Sequence, residues 1–248
     1  MMLLFMSMVM LACSEKDQVN DSGTSSVDIE PICTEPVEPN CVDSLILDLS
    51  LHDDKVSYAT VSSSQDGEDW ISGVDASAGG FQESANNPWV YVRFTDEGLE
   101  RVDIDDETAL ESMDWDMALR RFIIRLNGGD SGPSCVGAVS LLEGEYASID
   151  TVPGELNFAP DQYYTTDCTI INDSSGLPNS PQVVLGTWWE YPGCVATTAV
   201  PQIIQLANGR ILKLMVEKYY GLGQDTCNAN GTPGEHSGQI QLRWQFLN

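Results

Sequence analysis

The chain has 248 residues and a formal net charge of −27, from 38 acidic and 11 basic residues. Its hydrophobic fraction of 42% is ordinary for a folded protein, so a sizeable core is expected. A surface this acidic repels nucleic-acid phosphates and anionic lipid headgroups, which argues against nucleic-acid binding and against direct binding to a membrane surface.

The N-terminus has the pattern of an export signal. Residues 1–12 carry no charge and are almost all apolar, and they end in Met10-Leu11-Ala12-Cys13 before the sequence turns polar. The run is shorter than the roughly 20 residues that span a bilayer, but it suits the apolar region of a signal peptide. Because the ending is similar to a lipobox, we expect a lipoprotein signal peptide over 1–12 and a lipid on Cys13. A buried N-terminal strand or helix is the alternative.

The next segment is polar and the remainder is not. Residues 13–42 are rich in Ser, Asp, Glu and Pro, a composition that buries too little apolar surface to offset chain entropy. We therefore predict a flexible acidic tether over 13–42. Because residues 43–248 show no internal repeat and no long linker, they are expected to form one domain.

The central part of the chain shows two strand patterns. Residues 89–94 form the first, and Phe122–Leu126 is the core of the second. Just before the second, Met117-Ala118-Leu119 could open as a helical turn. Gly and Pro together number 33, which favours many turns over long helices.

The C-terminal part shows the clearest strands. Residues 203–206 and 211–216 flank Asn208-Gly209, a pair that tolerates the positive φ angles of a type I′ turn and so predicts a hairpin. In residues 239–247 the apolar side chains alternate with polar ones, as in a strand with one wet face; they are Ile240, Leu242, Trp244 and Phe246. The predicted fold class is all-β, a single antiparallel β domain with minor helix after a disordered tether.

The cysteine count also indicates export. Without Cys13 an even six remain, which an oxidising compartment would pair; they are Cys33, Cys41, Cys135, Cys168, Cys194 and Cys227. Six cysteines allow 15 connectivities, and the sequence alone does not choose among them. No CxxC pair is present, which disfavours a structural zinc site.

Two motifs invite a functional interpretation that their context does not support. Residues 129–133, Gly-Asp-Ser-Gly-Pro, are similar to the nucleophile loop of chymotrypsin-like proteases, but the two histidines, His52 and His236, lack that family's context. We interpret the loop as a polar glycine turn and expect no enzyme activity. An acidic cluster at residues 103–107 lacks the spacing of a calcium loop, so a solvated face is expected at Asp103, Asp105, Asp106 and Glu107.

Residues 114–132 carry a resemblance to a known family. A Trp-Asp-hydrophobic-Ala stretch leads into an Arg-aromatic pair, an Asn and a Ser-Gly turn, as in the HmuY family of bacterial haem-binding surface lipoproteins. The matching residues are Trp115, Asp116, Met117, Ala118, Arg121, Phe122, Arg125, Asn127, Ser131 and Gly132. The order of further residues extends the resemblance over about 85–248.

The same residues have a structural interpretation. Trp115 and Phe122 are large apolar side chains and are expected in the core. Asp116 could form an ion pair with Arg120 or Arg121, and residues 127–132 fit a turn that ends a strand.

The resemblance implies an antiparallel β fold and a lipid anchor at the outer membrane or cell surface of a Gram-negative bacterium. It also implies that the protein captures haem, either as free haem or from a haem protein. In the family two histidines ligate the iron, but the corresponding regions, near 191–194 and within 160–185, contain none. Since tyrosine can also ligate haem iron, Tyr163, Tyr164 and Tyr191 are the candidate ligands. The alternative is a surface binding module that kept the fold and lost the haem site.

The resemblance also suggests a disulfide pairing. Cys168 and Cys194 fall in the two regions that face each other across the ligand in the family, so we expect them to be bonded. Cys33 with Cys41 is the simplest local pair, which leaves Cys135 with Cys227.

Overall fold

The computed structural model describes residues 30–57, 60–177 and 180–248, a part of the chain that is β-rich with antiparallel sheets and few helices, as the sequence predicts. The predicted signal peptide and lipidation site, Cys13, lie outside these residues. The strands are β1 Val61–Asp66, β2 Asp69–Asp75, β3 Val90–Thr95, β4 Gly98–Val102, β5 Met117–Arg120, β6 Ile123–Leu126, β7 Gly137–Ser140, β8 Trp189–Glu190, β9 Ala196–Thr197, β10 Gln202–Gln205, β11 Ile211–Leu222 and β12 Glu235–Leu247.

The helices are short and peripheral. They are α1 Val42–Asp48, α2 Asp106–Ala109 and α3 Gln224–Asn230, with 3-10 turns at Ser84–Asn86, Tyr146–Ser148 and Gly186–Trp188. No helix within the described residues has the length and apolar character needed to cross a membrane.

The larger sheet has six strands in the order β1-β2-β12-β11-β10-β7, and every neighbouring pair is antiparallel. The predicted alternation in β12 is confirmed, because Ile240, Leu242 and Trp244 are buried whereas the intervening residues are partly exposed. Phe246 is only partly buried and packs at the margin of the same core.

The predicted hairpin joins β10 to β11, but its turn is of another type. Gly209 has φ 83° and its amide bonds to the Leu206 carbonyl at 2.9 Å, whereas Asn208 is not among the residues with positive φ. A type I′ turn would need positive φ at both positions, so the structure forms a three-residue loop with glycine in the left-handed conformation. The Asn208 side chain accepts a bond from the Arg210 amide at 3.0 Å instead.

The smaller sheet has four antiparallel strands in the order β4-β3-β5-β6. The possible helical turn at Met117 is wrong, because residues 117–120 form β5 and pair with β3 on one side and β6 on the other. Met117 and Leu119 face one core and Ala118 faces another. Alternate side chains of β5 are buried on the two faces of the sheet. Strand pairing therefore outweighs the helical preference of this short sequence.

The four-stranded sheet lies between two hydrophobic cores. Its Val92 and Phe94 side chains face the six-stranded sheet, where the Phe94 and Trp244 rings meet edge to face with centroids 4.9 Å apart. On its opposite face Trp89 and Tyr91 belong to a second core, which α1 covers through Leu45 and Leu49. This second core contains two of the signature residues, Trp115 and Ala118, whereas Met117 and Phe122 belong to or pack against the main core.

The three disulfides differ from the pairing we expected. The bonds join Cys33 to Cys135, Cys41 to Cys168, and Cys194 to Cys227, with Cα–Cα distances of 5.8, 5.4 and 6.0 Å. All three predicted pairs are therefore wrong: Cys168–Cys194, Cys33–Cys41 and Cys135–Cys227. The physical reason is that Cys168 lies beside the start of α1, whereas Cys194 lies in the main core beside α3.

The described end of the predicted tether is not free. The Ile32 amide donates to the Ala207 carbonyl at 2.9 Å, and the Val37 amide donates to the Pro133 carbonyl at 2.8 Å. Together with two of the disulfides, these contacts hold residues 32–41 against the β domain. For this part of 13–42 the expected flexibility is corrected, because covalent bonds replace the apolar burial that the sequence lacks.

Candidate ligand-binding site

Two of the three candidate haem ligands are engaged inside the protein. Tyr163 is fully buried, and its hydroxyl lies 2.9 Å from the Ser131 Oγ atom. The Tyr164 hydroxyl donates to Asp48 Oδ2 at 3.0 Å. Burial raises the pKa of both phenols above the usual range, and the bond to Asp48 adds to the effect at Tyr164. Both hydroxyls are therefore held protonated and away from a ligand.

Tyr191 is the accessible candidate. Its exposed fraction is 48%, and it lines a cleft of about 320 Å³. Trp189 and Glu190 of β8 also line this cleft. So does Asp173, whose carboxylate is fixed by hydrogen bonds from Ser175 and Ser180. Of the three tyrosines, Tyr191 alone combines an exposed ring with a neighbouring cleft.

The two histidines lie in other places. The His52 Nε2 atom is 2.9 Å from the Ala85 carbonyl, near α2, and His236 is an exposed residue at the start of β12. Within residues 30–57, 60–177 and 180–248, no group of three or more His, Cys, Asp or Glu side chains is placed to hold a metal ion.

The end of the signature, residues 127–132, forms a turn that packs against Trp115 of the second core. Trp115 is fully buried and its indole donates to the Ala109 carbonyl at 2.9 Å. The Asn127 side chain donates to the Trp115 carbonyl at 2.8 Å and accepts from the Ser134 amide at 3.1 Å. A Cβ at Gly132 would overlap Asn127 Oδ1 and the Trp115 ring. This is the turn that the sequence predicts, and its glycine is required by close packing.

The expected ion pair of Asp116 is replaced by other contacts. The Asp116 carboxylate accepts a bond from the Phe94 amide at 2.8 Å, and burial raises its pKa to about 6. Arg120 donates to main-chain carbonyls, including that of Ser50 at 2.9 Å. Arg121 donates to the Ser237 carbonyl and hydroxyl at 2.9 and 2.8 Å. Both arginines therefore satisfy backbone and hydroxyl oxygens, where the sequence suggested the neighbouring carboxylate.

Phe122 is less buried than predicted. Its ring is partly buried at the edge of the main core, where it lies 4.8 Å from the Trp189 ring. The signature thus reaches the wall of the Tyr191 cleft through this ring pair.

The protease-like loop is part of the interior. Ser131 is fully buried, and its hydroxyl donates to Asp161 Oδ2 at 2.7 Å. The neighbouring Asp130 carboxylate accepts bonds from the amides of Tyr163 and Tyr164 at 2.7 and 2.9 Å. A serine in this environment cannot reach a substrate, so the loop is a structural turn.

The acidic cluster is only partly solvated. Asp105 caps the N-terminus of α2 by accepting from the Thr108 amide at 2.7 Å. Asp106 is fully buried and accepts bonds from the amides of His52 and Trp89 at 3.0 and 2.9 Å. The expectation of a solvated face is therefore wrong for Asp106, because its backbone partners compensate its burial.

The sequence did not predict the charged network that lies within the second core. Arg125 is fully buried, and its guanidinium carbon lies 4.7, 5.2 and 5.5 Å from the ring centroids of Trp89, Trp115 and Tyr91. Its two terminal nitrogens donate to the Ser131 carbonyl and the Tyr91 hydroxyl, both at 2.6 Å. Alternation along β6 could have placed Arg125 on the face of these aromatic residues.

Asp161 completes this network. It is fully buried and accepts bonds from the Leu126 and Val184 amides and the Ser131 hydroxyl at 2.9, 2.7 and 2.7 Å. Desolvation nevertheless raises its pKa to about 6. No sequence pattern marks Asp161, since it lies in a loop outside the strands.

We expect the raised pKa of Asp161 to make stability depend on pH. The folded state binds a proton more readily than the unfolded state, so stability is greatest in acid and falls as the pH rises from about 4 to about 6. Asp161 alone should make unfolding about 2 kcal/mol less favourable at pH 4.5 than at pH 7. Urea unfolding at the two pH values measures this difference.

Two substitutions test whether Asp161 causes this pH dependence. Asp161→Asn should reduce the difference in unfolding free energy between pH 4.5 and pH 7 by about 2 kcal/mol. The control, Asp150→Asn at an exposed position, should leave that difference nearly unchanged. Equal pH dependence in wild type and Asp161→Asn would contradict the prediction.

A comparison with protein families identifies the class of this β protein. The family model described as "HmuY protein" matches residues 85–236, more than half of the chain. The chain therefore belongs to the HmuY family, which confirms the resemblance. The match spans β3 to the start of β12 and includes the signature turn and the Tyr191 cleft.

Solved structures with some likeness to the chain are distant from it. One, described as HmuY-like and heme-binding, from Bacteroides vulgatus, is 15% identical and has a TM-score of 0.43, with 71% of this chain and 91% of that chain covered. The apo HmuY analogue of Tannerella forsythia is 14% identical, with a TM-score of 0.42 and coverages of 79% and 100%. No curated protein matches the chain significantly.

Proposed function

We propose that this protein is a surface-exposed binding protein that captures haem or a related tetrapyrrole outside the cell. The observation that carries the proposal is membership of the HmuY family over residues 85–236. Ser131, the serine in the motif similar to a protease nucleophile loop, is fully buried. Its burial supports a binding role rather than catalysis.

The proposed location is the outer membrane or cell surface of a Gram-negative bacterium, with a lipid on Cys13 as the anchor. Three disulfides join all six remaining cysteines, as expected in an oxidising compartment. The lipobox-like ending at Cys13 supplies the attachment point.

Lipidation has a direct test. Intact-mass measurement of protein extracted from membranes should give a mature chain that begins at a diacylated Cys13, because the cysteine of a lipobox is lipidated and becomes the mature N-terminus. Ser14 at the next position suits sorting to the outer membrane. An unmodified chain that retains Met1 would contradict the proposal.

We propose Tyr191 as the ligand residue if iron is coordinated by the protein. The hydroxyls of Tyr163 and Tyr164 are already bonded inside, whereas Tyr191 is half exposed beside a cleft. Adding haemin to the mature chain should therefore give a Soret band that shifts or weakens in Tyr191→Phe. Absorbance titration measures both the spectrum and the affinity.

Two variants serve as controls for this titration. The double variant His52→Ala with His236→Ala should keep the wild-type spectrum, since neither histidine lies in the family's ligand regions. Tyr164→Phe should also keep it, because that hydroxyl bonds to Asp48. Loss of the Soret shift in the double histidine variant would show that histidine is the ligand.

The second candidate is a surface binding module that kept the HmuY fold and lost the haem site. The donor set favours it, because the family's ligand regions contain no histidine and two of their three candidate tyrosines are held inside the protein. A folded wild-type protein that gives no Soret shift with haemin would select this function over the first.

A further inference from the structure

A groove separates the N-terminal segment from α2. Its volume is about 740 Å³, within the range of ligand-binding clefts. Nine residues line it, and six of them are proline or aliphatic: Pro36, Pro39, Val42, Ile46, Leu110 and Pro133. The groove therefore has an apolar floor.

The apolar surface continues outside the groove. Val37 is 64% exposed and Leu47 is 78% exposed, and each follows a groove-lining residue in the sequence. Exposed aliphatic side chains scattered singly are ordinary, but these two follow residues that line an apolar groove and add exposed apolar surface next to it. Apolar surface that is concentrated in one place marks a site that binds another molecule.

The rim of the groove is acidic. The other three lining residues are Glu38, Glu107 and Glu111, and all three are exposed. None of the nine lining residues is basic. A second copy of this chain would bring two acidic rims together, and an anionic membrane would also be repelled. The charge therefore selects a cationic partner.

The groove is held in a fixed shape. Cys41, at the start of α1, is bonded to Cys168, and Cys33 is bonded to Cys135 beside Pro133. The Val37 amide also donates to the Pro133 carbonyl at 2.8 Å. A preformed groove lowers the conformational cost of binding an extended segment.

From these observations we propose that the groove binds a basic peptide segment of a partner protein. An aliphatic side chain of that segment packs on Val42 and Ile46, and flanking Lys or Arg side chains pair with Glu38, Glu107 and Glu111. The site is separate from the Tyr191 cleft and does not depend on haem binding.

The test uses a fluorescent nine-residue peptide with a central Leu-Leu pair between lysines, titrated with the mature chain at low salt and read by anisotropy. Glu107→Lys with Glu111→Lys should weaken binding about tenfold, because two attractive rim charges become repulsive. Ile46→Ser should weaken binding by a similar factor through the lost apolar contact.

Matched controls remove the same charge or apolar area elsewhere. Glu143→Lys with Glu155→Lys changes the net charge equally at exposed positions on segment 141–158, which does not line the groove, and Leu142→Ser removes an exposed aliphatic residue on the same segment. Both should retain wild-type affinity, and far-UV circular dichroism checks that each variant is folded.

Several results would overturn the proposal. These are no binding of the peptide to wild type, equal weakening by the Glu143/Glu155 control, and equal binding of a peptide with Ser-Ser in place of Leu-Leu. A dimer in sedimentation that Ile46→Ser dissociates would assign the groove to a second copy of the chain. Binding of phosphatidylserine vesicles to wild type but not to Ile46→Ser would assign it to a membrane.

Discussion

Replacing Arg125 with leucine should lower the free energy of unfolding by about 3–5 kcal/mol, the cost of breaking a buried charge network from one side. The variant leaves the Tyr91 hydroxyl and the Ser131 carbonyl without their 2.6 Å partners. It also removes the positive charge that favours the ionised form of the buried Asp161 carboxylate. Urea unfolding followed by tryptophan fluorescence measures the change, since Trp89 and Trp115 surround the guanidinium.

An exposed arginine provides the control. Arg93 forms an ion pair with Glu100 at 2.8 Å, and the side chains of the two residues are 52% and 40% exposed. Solvent screens this pair, so Arg93→Leu should cost less than about 1 kcal/mol. Arg125→Lys should fall between the two, because lysine keeps the charge but cannot donate in two directions from a planar group. A loss below 1 kcal/mol for Arg125→Leu would show that the network contributes little.

Periodicity along the chain was enough to predict several strands and one hairpin, but not β1, β2, β4 or β7 or the strand order of either sheet. The alternation in residues 239–247 and the glycine between 203–206 and 211–216 both report local geometry, and both elements form where expected. The type I′ turn predicted for the hairpin was wrong, because a three-residue loop closes with one positive φ angle, that of Gly209, where type I′ needs two. Local patterns thus indicate which segments form strands, but they determine neither the distant pairings, such as β12 with β2, nor how a loop closes.

The interior polar network was not predictable in the same way. Arg125, Asp106 and Asp161 come from β6, α2 and a loop, and only the folded domain brings them together. Their charges indicate solvent exposure when each is considered alone. Backbone amides and aromatic rings that are distant in sequence compensate their burial, and no spacing within one segment records those partners.

The disulfides show the same limit over longer distances. Cys33 and Cys41 are neighbours in sequence, yet each is bonded to a cysteine more than 100 residues away. The family resemblance placed Cys168 and Cys194 in facing regions, but α1 lies next to the first and α3 next to the second. The pairing follows from how the N-terminal segment crosses the domain, which composition described only as a polar tether.

Removing the Cys41–Cys168 bond should lower the free energy of unfolding by about 4 kcal/mol. The two cysteines are separated by 127 residues, but Cys33–Cys135 already shortens the chain path between them, so the loop that the bond adds is much smaller. The bond also anchors α1, which contributes Leu45 and Leu49 to the second core. Urea unfolding of Cys41→Ser with Cys168→Ser, in a Cys13→Ser background, measures the loss.

The same variant tests the connectivity independently of its stability. If Cys41 is bonded to Cys168, the double variant retains two intact disulfides and shows no free thiol after denaturation. If Cys168 were bonded to Cys194 and Cys33 to Cys41, the variant would expose two thiols, on Cys194 and Cys33. Two reactive thiols per chain would therefore contradict the pairing in the structure. No free thiol and a loss near 4 kcal/mol would confirm the bond and its contribution to stability. A change in the tryptophan fluorescence of the folded variant would show in addition that the bond holds α1 on the second core, since a bond that only tied down a solvated loop would leave Trp89 and Trp115 unperturbed.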